Sequence, residues 1–139
     1  VKILIVDDDA AMRRVLAAIL ESGEHTSIWA TNGDDALMQM QREQPDLVLL
    51  DLNLGRGSVD GVSVLRSKIR NPLIAAIKVI IITGEDVGDY RDSGDPFAGA
   101  ILTMQKPVGA DDLLRKISFL CGGEPIVIED DTDPGVPNG

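Results

Sequence analysis

Three short apolar runs in this chain end abruptly on polar residues, and that pattern restricts the fold more than any other feature. Val1 to Val6 runs into Asp7-Asp8-Asp9, Leu47 to Leu50 into Asp51, and Val79 to Ile82 into Thr83-Gly84. A weaker fourth run, Ala100 to Gln105, delivers Lys106-Pro107. Such runs are too short and too uniformly apolar for surface helices, and they read as strands buried on both faces. Helical spacing follows all of them but the Val79–Ile82 run. Met12, Val15, Leu16, Ile19 and Leu20 share one helical face, with Asp9 as cap and Gly23 as stop. His25 to Ala30 reads as a more polar strand, followed by a helix that turns Ala36, Leu37 and Met40 inward and halts at Pro45. A helix with Val62, Leu65 and Ile69 inward follows the Gly55–Gly61 loop, and a last one carries Leu113, Leu114, Ile117 and Leu120. Strand and helix alternate five times, which predicts an α/β fold: a doubly wound, five-stranded parallel sheet with helices on both faces. Open sheets of this kind place their sites at the carboxyl ends of the strands.

Composition narrows the function. The 139 residues suit one domain, and 44% of them are hydrophobic, enough for a single two-sided core. A formal net charge of −10 without a basic stripe argues against direct nucleic-acid binding, which needs clustered Lys and Arg on phosphates. Half of that charge comes from Glu124, Glu129, Asp130, Asp131 and Asp133, in a Gly- and Pro-rich stretch. Residues 1–121 are therefore expected to form the domain and 122–139 a disordered acidic tail, in which Ile126 to Ile128 could make a short extended contact. Cys121, the single cysteine, excludes an internal disulfide and falls on the apolar spacing of the last helix. No run reaches the length of a membrane span, and a cytoplasmic setting is expected. Between Glu85 and Gly99 the many Asp, Gly and Pro residues support at most a short helix over 86–98.

Carboxylates, a hydroxyl and an amine gathered on one edge suit a Mg²⁺-dependent aspartyl phosphate. Mg²⁺ takes one or two protein carboxylates, keeps waters, and accepts a phosphate oxygen. Asp8 and Asp51 would supply those carboxylates, and Asp7 a supporting negative charge that makes a cation more welcome. Asp51 is the expected nucleophile. Lys106 can pair with a phosphoryl oxygen, Thr83 can donate a hydroxyl proton, and Gly84 leaves its N–H accessible beside it. Taken singly, an Asp pair is a turn and cap, a strand-end Thr is β propensity, and Lys-Pro starts a loop. Their occurrence at strands one, three, four and five in order favours the functional reading. His25 and Trp29 are expected to pack or to face solvent, and Asp9 to cap a helix.

The motifs "ILIVDDD", "PDLVLLDLNL", "VIIITGE" and "LTMQKP" resemble those of the receiver domain of two-component response regulators, the CheY-like family, from Lys2 to about Cys121. The resemblance implies a flavodoxin-like strand order, 2-1-3-4-5. It implies that Asp51 accepts a phosphoryl group from a sensor histidine kinase or phosphotransfer protein, with Mg²⁺, or Mn²⁺ in its place, held by Asp8, Asp51 and the backbone carbonyl of Asn53. The Lys106-Pro107 peptide is commonly cis in the family. Asn53 and Glu85 would line the mouth through which water reaches the acyl phosphate and so set its lifetime. The added charge would draw Thr83 and Lys106 inward and bias a surface of fourth helix, fifth strand and last helix, which is also the candidate face for a homodimer.

Departures from the family pattern are local. Gly55 stands where Pro is usual, Arg56 to Val59 lengthen the following loop, and Thr103 stands where a switching aromatic is common. Tyr90 and Phe97 are the aromatics left for that role. Two other readings compete. A haloacid-dehalogenase-like phosphatase would use Asp7 and Asp9 as its Asp-x-Asp pair, but Met12-Arg13 follows where a Thr should lie and the length leaves no cap domain. A degenerate receiver used only for docking would not need the full acceptor set that this chain carries.

Overall fold

The computed structural model describes residues 1–52, 54, 61–84 and 102–121. In chain order the described elements are β1 (Lys2–Val6), α1 (Ala10–Ser22), β2 (Thr26–Ala30), α2 (Gly33–Glu43), β3 (Leu47–Leu50), α3 (Gly61–Arg70), β4 (Lys78–Thr83), β5 (Leu102–Gln105) and α4 (Ala110–Cys121), with α4 the last helix of the sequence reading. The strands are parallel and ordered β2-β1-β3-β4-β5, as expected. Asn53, Glu85, the Gly55–Asp60 loop, the weak helical segment 86–98 with Tyr90 and Phe97, and the tail from 122 lie outside the described residues.

Alternate strand residues feed two cores. Leu4, Val6, Val48, Leu50, Val79 and Ile81 pack with Ala36 and Met40 of α2 and Val64 and Leu65 of α3. Ile3, Ile5, Leu47, Leu49, Ile80 and Ile82 pack on the other side with Leu16 and Leu20 of α1 and Leu113 and Ile117 of α4. Burial on both faces explains why these strands lack polar alternation. The helix starts follow local chemistry: the Asp9 carboxylate accepts from the Ala11 N–H at 2.9 Å, and the Asn32 side chain from the Asp35 N–H at 2.8 Å. Helix α2 ends with Gln44 at φ 46°, and its side-chain amide donates to the carbonyls of Met40, Gln41 and Leu73.

Two side chains expected inward are not. Val15 is 51% exposed, because the buried stripe of α1 centres on Leu16 and Leu20 and one residue turns the helix by about 100°. Ile69 is 42% exposed, and Lys68 takes the inward position instead. Its stem lies in the core and its ammonium donates to the Ala75 carbonyl at 2.7 Å, in the turn between α3 and β4. Burial pushes the Lys68 pKa below the ordinary lysine value. Cys121 is half-buried against the α1–α4 core, and burial raises its thiol pKa.

Gly61 opens α3 by donating its N–H to the Leu52 carbonyl at 3.0 Å. A Cβ there would come within 2.5 Å of the Leu52 Cα and 2.7 Å of the Asp51 carbonyl oxygen, both backbone atoms that cannot step aside. Gly61→Ala is therefore expected to destabilise the fold by about 1–3 kcal/mol, as overpacking does, and to displace the Asp51 backbone. Urea unfolding measures the loss; an unchanged midpoint would mean that this close approach is not required.

Candidate functional site

Parallel register builds the site. Val6 pairs with Leu50, so the next residues, Asp7 and Asp51, emerge side by side, and the Asp51 N–H extends the ladder to the Val6 carbonyl at 3.0 Å. On the other flank the Asp7 N–H reaches the Ala30 carbonyl of β2 at 3.2 Å. Thr83 pairs with Gln105, and the Lys106 N–H then donates to the Thr83 carbonyl at 2.9 Å. Residues 99 positions apart in the chain, Asp7 and Lys106, meet in this way.

Asp7, Asp8 and Asp51 each offer a carboxylate oxygen within 4.8 Å of the other two, with Asp7 and Asp51 buried and Asp8 exposed. Three oxygen donors so close, one facing solvent, fit a hard divalent cation that keeps part of its water shell. The Lys106 ammonium lies 3.3 Å from Asp7 Oδ2 and 3.2 Å from Asp51 Oδ2. The other Asp7 oxygen, Oδ1, accepts the Asp9 N–H at 2.9 Å. Asp7 is thus tied down on both carboxylate oxygens.

Thr83 is fully buried at the tip of β4. Gly84 follows it, and a Cβ there would meet nothing within 4 Å, so space does not demand glycine at this position. Thr103 is half-buried in β5, level with Ile81 of β4. Pro107 is exposed, and the Lys106–Pro107 peptide is cis. Asp9 spends its carboxylate on the α1 cap, which removes it from the Asp-x-Asp role of the phosphatase reading. Asn53 and Glu85 lie outside the described residues.

Sequence reasoning gave Arg13 no part in the site. Its guanidinium donates from Nη1 to the Asp7 carbonyl at 2.8 Å and lies 4.7 Å from the centre of the Trp29 ring. A cation–π contact at such a site contributes about 0.5–1 kcal/mol. One signal was available: Arg13 sits near the start of a helix, where the macrodipole disfavours a cation.

An acidic trio beside a lysine, at the carboxyl edge of a 2-1-3-4-5 parallel sheet, defines a class of phosphate-handling α/β domain. The model of the response regulator receiver domain matches residues 3–118, and the chain belongs to that family. It is 33% identical over 122 residues to the protein PilH of Pseudomonas aeruginosa, covering 88% of this chain and 98% of PilH. It is 34% identical over 113 residues to sporulation initiation phosphotransferase F of Bacillus subtilis, covering 81% of this chain and 86% of that protein. By contrast, it spans about half (49%) of the phosphate regulon transcriptional regulatory protein PhoB of Escherichia coli, at 29% identity over 84% of this chain. Among solved structures, the receiver domain of a sensor histidine kinase from Pseudomonas aeruginosa superposes with a TM-score of 0.78 at 23% identity, over 88% of this chain and 98% of that one. That structure has a magnesium ion coordinated in its active-site cleft. The chain is a phosphorelay receiver, a signalling switch, and the phosphatase and docking-only readings are not favoured.

The Lys106 charge has a consequence for pH. Burial alone would lower its pKa, but the charges of Asp51 and Asp7 and their hydrogen bonds outweigh it and carry the value above the ordinary one. With the folded pKa above the unfolded value of about 10.4, this contribution to stability is complete below about pH 10.4 and disappears as pH rises through the higher folded value. In alkaline unfolding titrations the wild type is expected to lose stability above about pH 10.4 more steeply than Lys106→Gln. Parallel curves would show that the ammonium is not held by the carboxylates.

Proposed function

We propose that Asp51 is the phosphoacceptor and that Asp7, Asp8, Thr83 and Lys106 serve its phosphorylation. The observation that carries this reading is the position of Asp51: buried, 3.2 Å from Lys106 Nζ, and within 4.8 Å of two further carboxylates. An Asp51 oxygen attacks the phosphorus of a phosphohistidine on a sensor kinase or phosphotransfer protein. The P–O bond forms as the P–N bond breaks, and the imidazole leaves with the electron pair and takes up a proton. A bound Mg²⁺, or Mn²⁺, would neutralise charge on the transferred oxygens, held by Asp8, Asp51 and the Asn53 carbonyl with Asp7 in support. Lys106 gives up its contact with the Asp51 carboxylate for a phosphoryl oxygen, and the Thr83 hydroxyl and Gly84 N–H serve another. Receiver domains take phosphate from histidine kinases, and the relationship to PilH, over 98% of that protein, supports the same reading for this chain.

Because Lys106 is joined through its backbone to Thr83, movement of either group is transmitted to β4 and β5. The output surface is β5 with α4 and the segment before them; with Thr103 in β5, a rotating aromatic at that position is not the device. Phe119, 78% exposed on α4, supports the same face as the place where a second copy pairs. Asn53 and Glu85 act on the lifetime of the phosphate, residues 1–121 form the working domain, and the 122–139 tail follows it. No described helix is long and apolar enough to cross a membrane, and we place the protein in the cytoplasm.

Incubation with acetyl phosphate or a phosphohistidine protein and Mg²⁺ should add one phosphoryl group by intact mass, labile to hydroxylamine as an acyl phosphate is. Asp51→Asn should remove the label and Lys106→Gln should weaken it. Label that persists on Asp51→Asn would refute the assignment.

A further inference from the structure

We propose that Arg13 is a positioning residue for the acidic cluster, seated on the Trp29 ring, so that the indole on the open edge of the sheet and the metal-binding carboxylates shift together. The inference rests on the reading of Asp7, Asp8 and Asp51 as a Mg²⁺ site. The carbonyl that Arg13 holds at 2.8 Å belongs to the peptide joining Asp7 to Asp8. That peptide is planar, so fixing its carbonyl fixes the direction from which both residues project their carboxylates.

The remaining groups of Asp7 are held elsewhere. Its N–H is on β2, one carboxylate oxygen is on the Asp9 N–H, and the other is on Lys106. Without Arg13, the carbonyl is the one polar group of Asp7 that would lose its side-chain partner. Arg13 makes no ion pair with Asp8 among the described residues, so it steadies the cluster without consuming a ligand oxygen.

Trp29 explains how a long side chain stays in one pose. Level with Ile5 in the sheet, it lies on the α1 side of β2, an edge strand, and is 56% exposed. The ring gives the guanidinium a face to rest on, while the Nη1 hydrogen bond aims it at Asp7. A metal drawing Asp7 and Asp8 together must therefore shift the cation over the ring.

Trp29 is the single tryptophan, so the tryptophan emission of the protein comes from this position. Calorimetric and fluorescence titrations of the full chain with MgCl₂ test the proposal. In wild type, both signals should change with the same midpoint. Arg13→Ala should still bind Mg²⁺, about 10-fold more weakly, with no change in emission. Trp29→Ala should weaken binding about 3-fold, Trp29→Phe should restore it, and the Arg13/Trp29 double variant should bind no more weakly than Arg13→Ala. Arg13→Lys, which keeps the charge and is the milder change for folding, should also lose the emission response. Equal or tighter binding by Arg13→Ala, or additive losses in the double variant, would overturn the proposal while leaving the metal site standing. Absence of calorimetric binding in wild type would overturn both.

Discussion

Everything in this domain depends on one electrostatic problem: three carboxylates crowded at the ends of two adjacent parallel strands. Register puts Asp7 and Asp51 side by side, and Asp8 follows in sequence. Like charges this close disfavour one another, and burial of Asp7 and Asp51 removes the water that would screen them. The fold answers with Lys106, carried from the far end of the chain to lie between Asp7 and Asp51. One ammonium against three carboxylates leaves net negative charge on the edge. That net negative charge is what the proposed divalent cation would offset.

Support for the cluster comes from every element around it. Strand β2 holds the Asp7 N–H, α1 begins on Asp9 and returns Arg13 to the Asp7 carbonyl, and β4 holds the backbone of Lys106 through Thr83. On the opposite side of the sheet, Gly61 lets α3 start in contact with the Asp51–Leu52 backbone. A change at Asp51 is consequently felt on both faces of the sheet, which fits the proposed role of this residue as phosphoacceptor.

The strands and the residues at their tips were legible in the sequence, because parallel strands buried on both faces read as uninterrupted apolar runs with a sharp polar end. Family resemblance, rather than periodicity, supplied the strand order. Less visible was what depends on register and on side-chain reach. In α3 the sequence reading turned Ile69 inward, whereas Lys68 takes the inward position because its ammonium finds the Ala75 carbonyl beyond the helix end. In α1 the buried stripe centres on Leu16 and Leu20, which leaves Val15 on the rim although its spacing fits the apolar face. The Arg13–Trp29 contact joins a helix to an edge strand and shows no local motif. Asp7, Asp8, Asp51 and Lys106 lie together at the strand tips, with Thr83 bonded to Lys106 through the backbone, whereas the shared grip of Lys106 on two carboxylates emerged only in three dimensions.

The central claim is that uncompensated negative charge at the strand tips is stored for a cation. Thermal unfolding with and without MgCl₂ tests it most directly, since a ligand that binds only the folded state raises the midpoint by an amount that grows with the logarithm of its concentration above its Kd. Wild type should gain an increase that continues to grow with MgCl₂ concentration, and Asp8→Asn, lacking the exposed carboxylate, should gain little or none. An equal increase in both proteins, or none in wild type, would contradict the account.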